Sequence, residues 1–120
     1  MKKELEKNLR GNSSRELSGV LAAPGKAKGK ARIIKTVKDK NKVIKGDIVV
    51  LPDSDMKLLP TLRSQIAGFI IERGSLTCHV ATLARETKKP CLVQVRDAMK
   101  ILKNGDRVEI DAGRGTIKIL

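Results

Sequence analysis

The sequence predicts a β-rich α/β domain, and three observations carry that prediction. Apolar residues come in short runs bounded by Gly, Pro, Asn and Asp, as the strands of a compact sheet do. A single segment, residues 78–88, has convincing helical periodicity, with Val80, Leu83, Ala84 and Thr87 at i, i+3, i+4 and i+7. That segment lies between two apolar runs, AGFII at 67–71 and CLVQV at 91–95. Strand, helix and strand in that order form a crossover unit with parallel strands.

The elements follow in order. Residues 1–17 are polar, with only Leu5 and Leu9 at a helical spacing, and read as an N-terminal extension ending near Gly11, Asn12, Ser13 and Ser14. The folded domain is expected over 18–120. Residues 19–22 form a short strand and Pro24–Gly25 a turn. Residues 26–32 alternate between basic and small side chains, which gives a strand one wet face and one closely approached face. Lys45, Gly46 and Asp47 turn into an apolar strand at 48–51. Residues 52–60 read as a loop exposing Asp53 and Asp55, and 62–65 as a helical turn. After the helix, Pro90 stops the pattern before the strand at 91–95. Asn104, Gly105 and Asp106 have the composition of a hairpin turn. Strands at 107–110 and 116–119 are joined by residues 111–115.

Composition narrows the function classes. Phe69 is the only aromatic residue, so Ile, Leu, Val and Ala must build the core. No apolar run approaches the ~20 residues that span a bilayer. The N-terminus has no apolar signal core. A cytoplasmic protein with no membrane partner is expected, with Cys78 and Cys91 as free thiols. The chain carries 26 basic against 13 acidic residues, a net charge of +13. Most of the excess falls in residues 24–45, where nine Lys and Arg face only Asp39. This stretch, Lys26 to Lys45, reads either as a solvated strand face with a lysine-rich loop or as a patch for an acidic partner. Nucleic acid is disfavoured, because no aromatics are interleaved for stacking and lysines outnumber arginines.

The only histidine, His79, falls at the start of the helix. The first turn of a helix offers unpaired N–H groups and the positive end of its dipole, an environment suited to anions. Gly74 permits the strand-to-helix turn, and Ser75 and Thr77 supply hydroxyls for capping. His79 lies about 100° off the packed face and should reach solvent. A neutral imidazole there could accept a phosphoryl group, although an ordinary polar residue at a surface helix start fits the local pattern as well. A metal site is not expected. Cys78, His79 and Cys91 are too few soft ligands, and neighbours on a helix point apart. The same divergence excludes Cys78 and His79 as a nucleophile–base pair.

Gly74, Thr77, Cys78, His79, Ala81, Ala84, Arg85, Glu86 and Pro90 stand in register with the pattern G-G-x-T-[SC]-H-x-A-x-x-A-R-E-x-x-x-P. By these residues the chain resembles the phosphohistidine swivelling domain of phosphoenolpyruvate (PEP)-utilising enzymes. That family includes PEP synthase, pyruvate phosphate dikinase and enzyme I of the sugar phosphotransferase system. Further family motifs match in order: residues 23–29 (APGKAKG), 45–50 (KGDIVV) and 104–111 (NGDRVEID), continued by Arg114 and Gly115. There are three departures. Ser75 replaces a second glycine, Lys88–Lys89 replaces Gly-Ile, and Gln94 replaces another glycine. The resemblance implies a swivelling β/β/α fold with one main helix after the His79 turn. It implies that His79 is phosphorylated on Nε2, with Gly74, Ser75, Thr77, Cys78 and Arg85 around the phosphoryl group. It also implies ATP-grasp or PEP-binding partners. This chain contains no Walker loop and is too short for a barrel. The expected function is therefore a stand-alone phosphoryl carrier, a phosphotransferase component rather than a complete enzyme. No cofactor is expected in the chain itself, with Mg²⁺ confined to the partners' active sites. Two rival readings remain: a non-catalytic binding or regulatory module of the same fold, and a basic nucleic-acid-associated protein.

Overall fold

In the computed structural model, which describes residues 16–53, 65–76 and 78–120, a long strand joins two sheets of different kinds. The strands are β1 (Glu16–Ser18), β2 (Val20–Ala23), β3 (Lys26–Ile33), β4 (Ile48–Leu51), β5 (Gly68–Ile71), β6 (Cys91–Val93), β7 (Arg107–Asp111) and β8 (Thr116–Ile119). The helices are α1 (His79–Thr87) and the short α2 (Ala98–Ile101). Strand order is β1-β8-β7-β3-β4-β5-β6-β2. Residues 26–30 of β3 pair antiparallel with β7, and residues 31–33 pair parallel with β4. The ribbon thus passes at β3 from an antiparallel half into a parallel half of β4, β5 and β6. β2 closes the far edge, antiparallel to β6.

Side-chain alternation sorts the core into two layers. Val49, Leu51, Phe69, Ile71, Cys91 and Val93 point to one face of the parallel half and pack with Val80, Ala81 and Ala84 of α1. Ile48, Val50, Ile70 and Leu92 point to the other face and meet Val108, Ile110 and Ile117 of the antiparallel half. This is why β4, β5 and β6 read as continuous apolar runs: both faces are covered. Each fully buried Phe, Ile or Leu contributes about 2 kcal/mol. The architecture is antiparallel sheet, parallel sheet, helix, as the resemblance implied.

The small residues of β3 face inward for a steric reason. A Cβ on Gly29 would run into the carbonyl oxygen of Gly46. Lys26, Lys28 and Lys30 on the outer face are exposed, with Asp111, Glu109 and Arg107 across the pair. Part of the predicted basic stretch is therefore neutralised by carboxylates of β7. The motif at 45–47 also has a structural role. Asp47 is the one buried charged residue among those described; it accepts from Arg32 Nε at 2.9 Å and from the Ile44 N–H at 3.0 Å.

Four sequence expectations need adjustment. Residues 104–106 do not close a hairpin. They lead from α2 into β7, and the hairpin is β7–β8, closed by a 3₁₀ turn at Ala112–Arg114. The lysine-rich loop contains a 3₁₀ helix, Val37–Lys42, set by Asp39, which accepts from the Lys35 and Thr36 N–H groups. The strand at 91–95 stops at Val93 because Gln94 enters the left-handed region at φ +56. Glu16 and Leu17 of the presumed extension lie in β1. The possible helix at Leu5 and Leu9, Asp55, Thr77 and most of the turn expected at 62–65 lie outside the described residues.

Candidate functional site

β5 ends at Ile71 at the carboxyl edge of the parallel strands, where open α/β sheets place their ligand sites. The Glu72 and Arg73 N–H groups donate to Leu51 and Pro52 carbonyls at 2.9 and 3.1 Å, holding the departing chain against the end of β4. Gly74 then turns it at φ +130. A Cβ at Gly74 would stand 3.2 Å from Ile71 Cγ2, so the turn requires glycine on both conformational and steric grounds. The Cys78 N–H donates to Ser75 O at 3.2 Å, closing the turn.

The helix begins with an open end. Its N-cap is Cys78, in extended conformation, and the Cys78 side chain makes no capping hydrogen bond. The N-cap position expected for Ser75 or Thr77 thus falls to Cys78, whose thiol is a weak acceptor, and Thr77 lies outside the described residues. The intrahelical ladder starts where Thr82 N–H donates to Cys78 O at 3.1 Å. The N–H groups of His79, Val80 and Ala81 therefore precede any carbonyl the helix itself could offer. No acidic residue sits in this turn. His79 is the first helical residue and is exposed, while Val80 and Ala81 beside it are buried. The packing of those two residues fixes the helix under the imidazole.

Arg85, over a turn further along, reaches back to the same place. Its Nε donates to Ala22 O at 3.0 Å, and its Nη2 donates to Leu76 O. One guanidinium thus ties α1 to β2 and to the turn before His79, and brings positive charge to that turn. Gln94 adds a brace that the sequence did not reveal. It is exposed, and its Nε2 donates to Gly74 O at 3.2 Å. Gly74, Ser75, Cys78, His79 and Arg85 therefore converge on one turn. Thr77 lies between them in sequence but outside the described residues.

Two departures from the family pattern acquire a physical meaning. Lys88 ends α1 in the left-handed conformation at φ 58, and Gln94 leaves β6 at φ 56. These are the positions where the pattern has glycine. The chain keeps the backbone shape with side chains that strain it by about 1 kcal/mol each. Lys89, at the pattern's isoleucine position, donates from Nζ to Ile66 O, and burial lowers its pKa.

Cys78 is half-buried and Cys91 fully buried; both are free thiols. Burial pushes the Cys91 pKa up to about 12; proximity to Cys78 adds to this, and the Arg85 charge partly offsets it. Cys91 is a packing residue beneath the site, and Cys78 is at its rim. Among the described residues, no three His, Cys, Asp or Glu side chains gather as metal ligands would. No helix among them is long and apolar enough to cross a membrane.

Comparison with known proteins bears on this arrangement. Residues 43–115 match the family described as PEP-utilising enzyme, mobile domain. A probable phosphoenolpyruvate synthase from Methanothermobacter thermautotrophicus is 35% identical over 106 residues, covering 87% of this chain but 15% of that protein. The chain is thus a small part of the length of such relatives. The fold is shared with Thermococcus kodakaraensis aconitase X, with a TM-score of 0.66, 22% identity and coverage of 88% and 98% of the two chains. An Enzyme I protein solved by NMR matches at a TM-score of 0.52 and 24% identity, covering 62% of this chain and 31% of that one.

Proposed function

The chain belongs to the mobile-domain family of PEP-utilising enzymes, and from that premise we propose that it is a phosphoryl carrier that relays through His79. In the forward step a partner's active site presents a phosphoryl group. Its bond to the donor oxygen breaks as Nε2 of His79 forms a P–N bond, and the donor keeps the electron pair. In the second step the P–N bond breaks and an acceptor oxygen takes the phosphoryl group, returning the imidazole to its starting state. The observation that carries this reading is the exposed His79 on a helix start whose N-cap Cys78 makes no side-chain cap, with no acidic residue in its first turn. In this reading the first-turn N–H groups receive the phosphoryl oxygens; its support is that Arg85 ties the turn before them through Leu76 O. Gly74, Ser75, Thr77 and Cys78 form the rest of the cradle. Partners of ATP-grasp or PEP-binding type would supply the donor, the acceptor and any Mg²⁺, and the domain would move between them in the cytoplasm.

The test is intact-mass measurement after incubation with ATP- or PEP-utilising partner proteins. The expected result is the gain of one acid-labile phosphoryl group that His79→Ala abolishes. Failure to gain mass with any such partner favours a binding or regulatory module. The likeness to aconitase X shows the fold outside PEP-utilising enzymes, so fold alone does not decide between the two.

A further inference from the structure

We propose that the chain has a second ligand site, a lysine-lined cleft that binds a compact, phosphate-rich polyanion. The cleft encloses about 380 Å³ between the segment leaving β3 and the end of α2. Its charged lining is Lys35, Lys42, Lys100 and Lys103, with Asp39 the only carboxylate. That carboxylate is already engaged. It accepts from the Lys35 and Thr36 N–H groups at 2.8 and 3.0 Å and stands 3.5 Å from Lys42 Nζ. Among the described residues, the ammonium groups of Lys35, Lys100 and Lys103 have no carboxylate or hydrogen-bond partner. Four lysines from two separate segments thus share one concavity with a single carboxylate, a local excess of three positive charges that raises the local concentration of anions.

The shape and chemistry of the cleft select the class of anion. Its volume lies at the small end of small-molecule sites, too little for a protein face or a duplex. Its basic lining is lysine alone, whose ammonium groups serve as point charges, so anions of high charge density such as linked phosphates gain most from several of them at once. The Asn104 side-chain carbonyl oxygen accepts from the Ile33 N–H at 2.6 Å, and its NH₂, with no acceptor among the described residues, is left as a further donor. The floor is rigid, because Ile33 and Leu102 belong to the core layer between the two sheets. His79 lies at the start of α1, which packs on the opposite layer. The cleft is therefore separate from the phosphoryl site and does not depend on its assignment.

Calorimetric titration of the full chain with inorganic tripolyphosphate tests the proposal. It should show one site, weakened by salt, and Lys100→Gln/Lys103→Gln should lower affinity about tenfold. Lys28→Gln/Lys30→Gln, which removes equal charge from the β3 face, should change it less than twofold. Equal losses in the two double variants would assign binding to diffuse net charge and overturn the site. So would an absence of binding, citrate binding as well as tripolyphosphate, or tighter binding of a single-stranded oligonucleotide. If the Lys100/Lys103 variant unfolds, amide shifts in the unaltered chain decide. Tripolyphosphate must move the resonances of residues 35–42 and 99–104, and shifts spread over the β3 face instead would refute the site.

Discussion

Two turns at the parallel sheet use the same materials for opposite ends. At 45–47 the turn entering β4 places a carboxylate inside the protein, where Arg32 and the Ile44 N–H consume it. At 74–78 the turn leaving β5 places a histidine outside, at a helix start that its N-cap side chain, Cys78, does not cap. Both turns have a glycine at positive φ, Gly46 and Gly74. The first turn satisfies its polar groups internally and so fixes the fold. The second leaves polar groups facing outward and so can hold a ligand. A motif residue is a candidate for chemistry when its polar atoms remain unspent after folding, and Asp47 fails that test while His79 passes it.

The comparison can be broken at either turn. The largest expected effect is on the fold. Asp47→Ala strands the Arg32 charge and the Ile44 N–H and should cost about 3 kcal/mol of stability in urea denaturation. A loss near zero would mean the turn is held by other contacts. Next comes an alkaline effect beneath the second turn. The Cys91 pKa is raised from 9.0 to about 12 in the folded protein, so its contribution is intact below pH 9 and is lost as pH rises toward 12. Thermal melts should fall over that window less steeply in Cys91→Val than in the unaltered chain. Gly74→Ala should cost about 2 kcal/mol, since the backbone at φ +130 excludes a side chain, and it should slow phosphoryl uptake as well. The smallest effect is a gain. Lys88→Gly relieves the left-handed C-cap and should stabilise by about 0.5 kcal/mol without altering uptake. Stability measured by chemical denaturation would show it, and a loss would mean the Lys88 side chain has a role beyond ending the helix.

Much of the fold was legible because both core layers rest on period-2 alternation, and each apolar run was visible as such. The helix was legible from its i, i+3, i+4 face, and the place of His79 followed from it. Other features were hidden because they depend on contacts distant in sequence. Asn104 looked like a hairpin residue, yet its partner is the Ile33 N–H, 71 residues away. The part of Arg85 came only from the resemblance, since helical spacing puts it over a turn beyond His79. Only the docking of α1 on β2 and the fold of the turn reveal that its side chain runs back to Ala22 and Leu76. The cap was mistaken for the opposite reason: hydroxyl propensity favoured Ser75 or Thr77, and the tertiary path of the turn gave the position to Cys78. The convergence of Lys35 with Lys100 and Lys103 had no local signal, since two separate segments supply them.

The central claim, that His79 carries the phosphoryl group, is tested most directly by ³¹P NMR of the chain at neutral pH after exposure to a PEP- or ATP-charged partner. The account predicts one equivalent of a phosphoramidate signal that is lost on acidification and absent in His79→Ala, yet retained in Cys78→Ser. A signal that survives in His79→Ala would contradict it.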